Sequence, residues 1–276
     1  MKIEILYEDE ALLVVNKPPG LVVNRADTIT DPTLQDWMEQ RLAATPVADA
    51  GSWQNLVPAT LDPTYGSPAD IFHQRGGIVH RLDKDTSGVM VLAKNPGVLV
   101  NLLAQFKERQ TQKKYLTLVH GLFTVPEAII SEPIGRASRD RKVFAVRADG
   151  RSAVTKYQVV QTFSRLDIQA IAEKTGQKPA KLDREFRIYQ GFSLVNCWPQ
   201  TGRTHQIRVH LAHLRHPVVG DATYSGRKRQ VLDPLWCPRQ FLHATELTLI
   251  HPVSGELQTF AAPLSPDLDQ TLSLLS

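Results

Sequence analysis

The sequence predicts an α+β fold with a mixed, largely antiparallel central sheet, flanked by helices and loops. Segments with strand-like patterns outnumber segments with helical spacing. The two kinds do not alternate regularly, as they would in a parallel βαβ sheet. Turn residues at 8–10 and 252–255 separate neighbouring strand-like segments, which is typical of antiparallel hairpins.

The first part of the chain predicts strands at 2–7 and 11–16, because short apolar runs are bounded there by turn residues. Lys17-Pro18-Pro19-Gly20 ends the second strand, since proline cannot donate to a sheet. The remaining elements predicted before residue 122 are a helix at 33–44, a strand at 87–94, a helix at 96–108 and a strand at 113–121.

The second part predicts strands at 154–163 and 192–198, separated by a loop at 173–184 that is rich in lysine, glycine and proline. Ile207, Leu211 and Leu214 have the spacing of one helix face, which indicates a helix over 203–214. The last predicted elements are a hairpin of strands 245–251 and 256–261 and a helix at 267–275.

The 276 residues are predicted to form a single catalytic domain, 1–276, with ordinary globular composition of 42% hydrophobic and 22% charged residues. Residues 45–76 lack periodicity, so we expect an irregular insertion there. No signal peptide and no apolar run of about 20 residues is present, which argues against a membrane partner. The two cysteines are too few for a disulfide framework, which favours the reducing cytoplasm.

Positive charge is concentrated in three segments, 107–114, 136–151 and 227–229, although the net charge is only +4. Such clusters can neutralise the phosphates of a nucleic acid backbone. They are equally common on solvated faces that bind nothing. The charge pattern alone therefore leaves both interpretations open.

A candidate catalytic carboxylate lies in the segment 78–88, which reads Ile-Val-His-Arg-Leu-Asp-Lys-Asp-Thr-Ser-Gly. Asp83 sits beside Arg81, with the apolar Leu82 between them. Apolar residues lead into this turn and out of it. Reactive side chains are often placed on loops that rigid strands support, so Asp83 is the first candidate for chemistry.

A second motif, Gln200-Thr-Gly-Arg-Thr-His-Gln-Ile-Arg-Val-His210, places Arg203 at the start of a predicted helix. An arginine there can bind a carboxylate bidentately and keep it ionised, which makes Arg203 a candidate partner of Asp83. The alternative is an ordinary surface arginine.

Other kinds of site fit the residues less well. Four histidines, His205, His210, His213 and His216, lack a suitably placed acid and the zincin pattern, so we predict packing or RNA-contacting histidines and no metal. Ser87 lacks the nucleophile-elbow pattern of serine hydrolases. Asp83 and Asp85 could form a glycosidase pair, but such pairs usually come from separate elements.

The chain resembles the RluA-type RNA pseudouridine synthases, most specifically in His80-Arg-Leu-Asp-Lys-Asp-Thr-Ser-Gly88. The segments that carry the resemblance follow one another in the family's order: 6–20, 78–88, 106–121, 201–211, 216–224, 242–244 and 251–252. Two departures concern substrate choice. The catalytic region begins near residue 3, so a separate N-terminal RNA-binding domain is not expected, and 45–76 looks longer than relatives need.

The resemblance implies a role for each matching residue. Asp83 would be the essential catalytic aspartate, and Tyr115 the tyrosine that stacks on the target uracil. From its strand alone, Tyr115 reads as a core tyrosine. Arg203 would pair with the aspartate. The remaining implied contacts to the substrate or its RNA are those of Arg81, Ile207, Lys113 and His205.

The implied reaction converts uridine in structured ribosomal or transfer RNA to pseudouridine. Atoms and electrons balance, so we expect no cofactor and no metal. The uridine must be flipped out of its stack. We expect a monomer without an obligatory protein partner. The alternatives are an RNA-binding protein with a degenerate site, which intact Asp83, Tyr115 and Arg203 disfavour, and a hydrolase that releases a free base.

Overall fold

The computed structural model describes residues 2–44, 53–62, 64, 66–138 and 140–276. The chain forms two compact units. The first unit consists of Met1–Lys113 and Ala244–Pro263, and the second of Lys114–His243 and Leu264–Ser276.

The first unit contains a sheet whose strands follow the order β1-β2-β3-β10-β11. The pairs β1–β2, β2–β3 and β10–β11 are antiparallel. Its strands and helices are β1 (Glu4–Glu8), β2 (Leu12–Lys17), α1 (Leu34–Ala44), α2 (Pro68–Arg75), β3 (Ser87–Ala93), α3 (Pro96–Glu108), most of β10 (Leu242–Ile250) and β11 (Leu257–Ala261).

The strands β2 and β3 form the buried centre of the first unit. Val14 pairs with Val91 in the middle of the ladder, and Lys17 pairs with Gly88 at its end. Every residue of β3 is buried. Gly88 has φ +118°, and a Cβ there would lie 2.2 Å from the backbone oxygen of Ala244. Only glycine permits this backbone approach at the start of β3.

The predicted irregular stretch 45–76 contains a helix that sequence reasoning missed. Ser67 begins α2 with a capping box, since its hydroxyl accepts from the Asp70 N–H and the Asp70 carboxylate accepts from the Ser67 N–H. Gly76 ends α2 in the left-handed conformation. Residues 45–52, 63 and 65 of the predicted insertion lie outside the described residues.

The second unit contains a sheet of strand order β4-β9-β8-β5, with antiparallel β4–β9, β9–β8 and β8–β5 pairs, and a separate antiparallel hairpin β6–β7. Its elements are most of β4 (Gln112–His120), β5 (Glu127–Ile130), β6 (Ile134–Arg136), β7 (Phe144–Val146), β8 (Thr155–Phe163), α4 (Ile168–Thr175), α5 (Pro179–Phe186), β9 (Phe192–Pro199), α6 (Gln206–His213), α7 (Arg227–Leu232) and α8 (Pro266–Ser273).

A single large apolar cluster forms the core of the second unit. Leu118 of β4 and Val195 of β9 pack in it with Leu211 of α6, and all three are fully buried. Trp236 and Phe241 belong to the same cluster. Burial of large apolar side chains contributes about 1.5–3 kcal/mol each to folding, so this cluster fixes the position of α6 against β4 and β9.

The predicted loop at 173–184 is wrong, because most of this stretch belongs to α4 and α5. Pro179 occupies the first turn of α5, where its missing N–H costs nothing. Gly176 ends α4 in the left-handed conformation. The glycine and proline that suggested a loop are thus the boundary residues of two short helices.

The α+β class with a largely antiparallel sheet is confirmed, and the helix predicted at 96–108 is present as α3. The strands β5, β6 and β7 and the helix α7 were not predicted. The assignment of 1–276 to one domain stays a prediction. In the described part of the chain, no helix has both the length and the apolar character needed to cross a bilayer.

Candidate active site

The loop that carries Asp83 is tied to a buried lysine. Lys17, at the end of β2, is fully buried. Its ammonium donates to the carbonyl oxygens of Pro18, Leu21 and Lys84 at 2.8–2.9 Å. A buried ammonium is stable only when its donors are satisfied, so the lysine and the loop carbonyl depend on each other. The backbone one residue after Asp83 is thereby held at the Lys84 carbonyl.

The backbone of Asp83 is also part of a turn. Its carbonyl accepts from the N–H of Thr86 at 3.1 Å. Leu82 is buried, the Asp83 side chain is partly exposed and Arg81 is exposed. The chain thus buries the apolar residue and turns the acid toward the surface from a fixed backbone, a geometry suited to a carboxylate that meets substrate.

A histidine just before this loop is neutral. His80 accepts from the N–H of Val91 through Nε2 at 3.2 Å, and its ring stacks on Phe106 with centroids 4.7 Å apart. Burial, with a smaller contribution from the charge of Lys113, lowers the pKa of His80 to about 3. An imidazole of this kind is a hydrogen-bond acceptor and a packing surface, and it carries no charge at neutral pH.

Lys113 lies in the first unit, with its ammonium 5.9 Å from the centroid of the Phe106 ring. Burial lowers the pKa of Lys113. A partly buried cation over an aromatic face is stabilised by the ring quadrupole. The contact is consistent with the predicted substrate-binding role and does not test it.

Tyr115 lies on β4 in the second unit, where it pairs with Cys197 of β9. The ring is partly exposed and packs against the apolar cluster of this unit. Cys197 is fully buried, and burial raises the pKa of its thiol. Tyr115 therefore projects from a rigid strand with one part in the core and the other accessible.

Arg203 lies in the turn between β9 and α6, and the side chain of Gln206 fixes this turn. The Oε1 of Gln206 accepts from the N–H of Arg203 at 3.0 Å and from the hydroxyl of Thr201 at 2.7 Å. Its Nε2 donates to the Val154 carbonyl at 3.0 Å. The Arg203 Nε donates to the carbonyl of Ser152 at 3.0 Å. Hydrogen bonds thus fix both the backbone N–H and the side-chain Nε of Arg203.

His205 begins α6 in the left-handed conformation, with φ 55°. Its Nδ1 lies 2.9 Å from the hydroxyl of Tyr224. Tyr224 in turn lies below the guanidinium of Arg208, 5.1 Å from the ring centroid. Arg208 is buried and forms a bidentate ion pair with Asp221 at 2.7 and 2.9 Å. His205 is thus oriented through Tyr224, which the buried Arg208–Asp221 pair supports.

Two other histidines that were candidates for a metal site have structural contacts. His210 is buried between the Thr155 hydroxyl at 2.9 Å and the Glu132 carbonyl at 3.0 Å, and burial lowers its pKa. His216 stacks on Phe123 with centroids 3.9 Å apart. Across the described residues, no group of three or more His, Cys, Asp or Glu side chains is arranged to bind a metal.

The predicted site residues are divided between the two units. Arg81, Asp83 and Lys113 belong to the first, whereas Tyr115 and Arg203 belong to the second. The second unit also contains His205 and Ile207, and Ile207 is buried in the same apolar cluster that Tyr115 packs against. The pairing of Asp83 with Arg203 stays a prediction.

Lys17 and Gln206 are the supporting residues that sequence reasoning missed. Lys17 stands after Asn16 and directly before Pro18-Pro19-Gly20, at the end of the apolar run, and this local pattern does not reveal its acceptors. Gln206 stands three residues after Arg203, the spacing at which a glutamine bonds back to a helix-start N–H.

A protein-family model for RNA pseudouridylate synthases matches residues 11–213. The Ribosomal large subunit pseudouridine synthase D of Xanthomonas campestris is 36% identical over 99% of this chain and 69% of its own length. The protein of the same name from Haemophilus influenzae is 31% identical over 99% of the chain and 71% of its own length.

A solved structure agrees with these relatives. Human RNA Pseudouridylate Synthase Domain Containing 1 has a TM-score of 0.63 and 26% identity, and the match covers 98% of this chain and 87% of the human chain. The chain belongs to the RNA pseudouridylate synthase family. It is accordingly an isomerase that acts on RNA.

The Lys17→Met variant is expected to unfold more easily, because carbonyls lose their hydrogen-bond donor. Each buried acceptor left without a partner costs about 1–3 kcal/mol. We expect a loss of about 3 kcal/mol in the free energy of unfolding, measured by urea denaturation. The matched control is Lys84→Met, which removes an exposed lysine from the same loop and leaves the Lys84 carbonyl in place. Equal losses in the two variants would contradict the assigned contact.

The stability of the protein is expected to decrease as the pH falls below about 6.5. The unfolded chain protonates His80 in this range, whereas the folded chain resists protonation until pH about 3. The unfolded state therefore binds a proton before the folded state does. The free energy of unfolding should fall by about 1–2 kcal/mol by pH 5. Urea unfolding at pH 7 and pH 5 measures this.

His80→Gln should make the pH dependence shallower, and it should not vanish because burial also lowers the pKa of His120 and His210. His73→Gln, at an exposed position of α2, is the control and should leave the dependence unchanged. An unchanged dependence in His80→Gln would refute the assignment.

Proposed function

We propose that this protein converts specific uridines of large-subunit ribosomal RNA to pseudouridine, with Asp83 as the catalytic carboxylate. The observation that carries the proposal is the geometry of the Asp83 loop. A partly exposed acid lies directly before Lys84, whose carbonyl accepts from the buried Lys17 ammonium. This loop lies inside the region matched by the family.

The choice of RNA rests on the relatives. Two of them, from Xanthomonas campestris and Haemophilus influenzae, are named for the large ribosomal subunit and are similar over nearly the whole chain. We further propose that the protein acts in the cytoplasm as a monomer and needs no protein partner. Transfer RNA, the other predicted substrate, stays a prediction.

The proposed reaction breaks the N-glycosidic bond of uridine and joins the same sugar carbon to a ring carbon of the uracil. That ring carbon loses its proton, and the freed ring nitrogen gains one. The product has the atoms and electrons of the substrate, so the step needs no oxidant and no second substrate. Asp83 supplies the one ionised carboxylate, as a nucleophile or as a base. Exclusion of water protects the intermediate from hydrolysis, which separates this activity from that of a base-releasing hydrolase.

The remaining candidates bind and orient the nucleotide. Flipping a uridine out of its stack costs a few kcal/mol, and stacking on Tyr115 offsets roughly 1–3 kcal/mol of this cost. Arg203 is proposed to keep the catalytic carboxylate ionised. The exposed Arg81 is proposed to contact the RNA beside the flipped nucleotide.

The Asp83→Asn variant is expected to abolish pseudouridine formation and to leave RNA affinity within a few-fold of wild type. The amide keeps the shape of the side chain and removes its charge. Pseudouridines are mapped in ribosomal RNA from cells that contain the wild-type protein, the variant or neither. Sites present only with the wild type support the proposal.

Asp85→Asn, on the same loop, is the matched control and should retain most of the activity. If the wild-type protein releases free uracil and both variants lose that activity, a two-carboxylate hydrolase is favoured. Turnover near wild type in Asp83→Asn would reject Asp83 as the catalyst.

Replacements of Tyr115 separate stacking from the chemistry of its hydroxyl. Tyr115→Phe keeps the ring and should retain substrate affinity, whereas Tyr115→Ala should weaken it by about 1–3 kcal/mol, or roughly 5- to 150-fold. Affinity is measured by filter binding of the RNA substrate, and turnover by single-turnover kinetics. Equal affinities of Tyr115→Phe and Tyr115→Ala would contradict a stacking role.

A further inference from the structure

Arg75, the last residue of α2, is bonded to the short segment that leads into the Asp83 loop. Its Nε donates to the carbonyl of Ile78 at 2.9 Å, and its Nη2 donates to the carbonyl of Val79 at 3.2 Å. Ile78 also forms a bridge with Leu92 of β3. The two hydrogen bonds occupy one edge of the planar guanidinium, so the orientation of this group is fixed.

The backbone on both sides of Arg75 is ordered as well. The buried amide of Gln35, on α1, donates to the carbonyl of Gln74 at 3.1 Å. The carbonyl of Gly77 accepts from the N–H of Ala93 at 2.9 Å. A Cβ at Gly77 would lie 2.5 Å from the backbone oxygen of Ala93, so this close approach requires glycine. Arg75 therefore extends from a support that is formed before any ligand arrives.

The positive charge of Arg75 has no acidic partner among the described residues. The carboxylate of Glu39 lies next to Gly76, but it is paired with Arg25. Burial lowers the pKa of Arg75, and no neighbouring charge of either sign contributes to that shift. An arginine remains charged in proteins at neutral pH. The Asp83 loop is thus flanked by a partly buried cation whose charge is not neutralised.

The second edge of the Arg75 guanidinium is open. In the described part of the chain, Nη1 has no hydrogen-bond partner, and it is not a buried atom. Arginine has five N–H donors in a fixed fork, and two neighbouring ones match two oxygens of a phosphate. Since the carbonyls of Ile78 and Val79 already orient the side chain, binding an anion there loses little further entropy.

We propose that Arg75 binds a phosphate of the RNA strand next to the uridine on which Asp83 acts. This inference rests on the proposed function and adds a substrate contact from α2, outside the segments that carry the sequence resemblance. A phosphate supplies both the negative charge and the paired oxygens that the open edge lacks. The phosphate belongs to RNA, since the protein is an enzyme that acts on RNA.

The first test compares Arg75→Gln, which removes the charge, with Arg75→Lys, which keeps it. Arg75→Gln should weaken RNA binding about tenfold and reduce the slope of log affinity against log salt concentration by about 0.7–0.9, the value for one phosphate. Arg75→Lys should keep the wild-type slope. With saturating RNA, kcat of Arg75→Gln should stay within about twofold of wild type, because the chemistry does not use this contact. Affinity is measured by filter binding over a salt series.

The matched control is Arg41→Gln, which removes a partly exposed arginine of α1 that is paired with Glu8. It should leave the affinity and the salt slope as in the wild type. If Arg75 only supports the Asp83 loop, both Arg75 variants will lower kcat and neither will change the slope. That outcome, or equal slopes in Arg75→Gln and the wild type, would overturn the inference.

The second test identifies the phosphate. RNA substrates are prepared with one uncharged methylphosphonate linkage at each position flanking the mapped uridine. One linkage should weaken binding to the wild-type protein about tenfold, and the same linkage should cost Arg75→Gln less than about twofold, because the contact is already absent. Equal losses in both proteins at every position would overturn the inference. If Arg75→Gln does not fold, a wild-type protein that is insensitive to every linkage overturns it as well.

Failure of the proposed function is distinguishable from failure of this inference. If the wild-type protein leaves ribosomal RNA unmodified, the proposed function fails. The salt-slope comparison needs binding alone, so a transcript of large-subunit ribosomal RNA then still tests Arg75 against the Arg41→Gln control. A reduced slope in Arg75→Gln supports the phosphate contact, and an unchanged slope overturns it.

Discussion

The buried ammonium of Lys17 is the interaction on which the candidate catalytic loop depends. Removing a cation from water is costly, and three carbonyl acceptors offset that cost. These acceptors come from the proline turn after β2 and from the Asp83 loop. The charge therefore joins two segments that are far apart in the chain. Gly88 completes the arrangement, because its missing Cβ lets β3 begin against the backbone of Ala244.

In the second unit, too, buried polar side chains hold the backbone of accessible candidate residues. Arg203 is partly exposed, while the buried amide of Gln206 accepts from the Arg203 N–H and donates to the Val154 carbonyl, directly before β8. The buried Arg208–Asp221 pair supports Tyr224 in the same way, because the Arg208 guanidinium lies over the Tyr224 ring. Accessible side chains that meet substrate lose little entropy on binding when buried polar groups already fix their backbone.

The reactive candidates were easier to predict from the sequence than their supports. Asp83 and Arg203 stand in dense polar motifs, and the apolar spacing of 96–108 indicated α3 directly. Lys17 could not be identified as a buried donor, because its acceptor at residue 84 is distant in the chain. The loop predicted at 173–184 was wrong because proline and glycine occur at helix boundaries as well as in loops.

Both cysteines of the chain are deeply buried, with thiol pKa values that burial raises, to about 12 for Cys237. Their thiolates are therefore scarce at neutral pH, and alkylating reagents cannot reach them. A cysteine introduced at an exposed position would be the single reactive thiol among the cysteines. Fluorophores or spin labels can thus be attached at one chosen point without first replacing Cys197 or Cys237. The strand β9, whose Cys197 pairs with Tyr115, then keeps its native sequence.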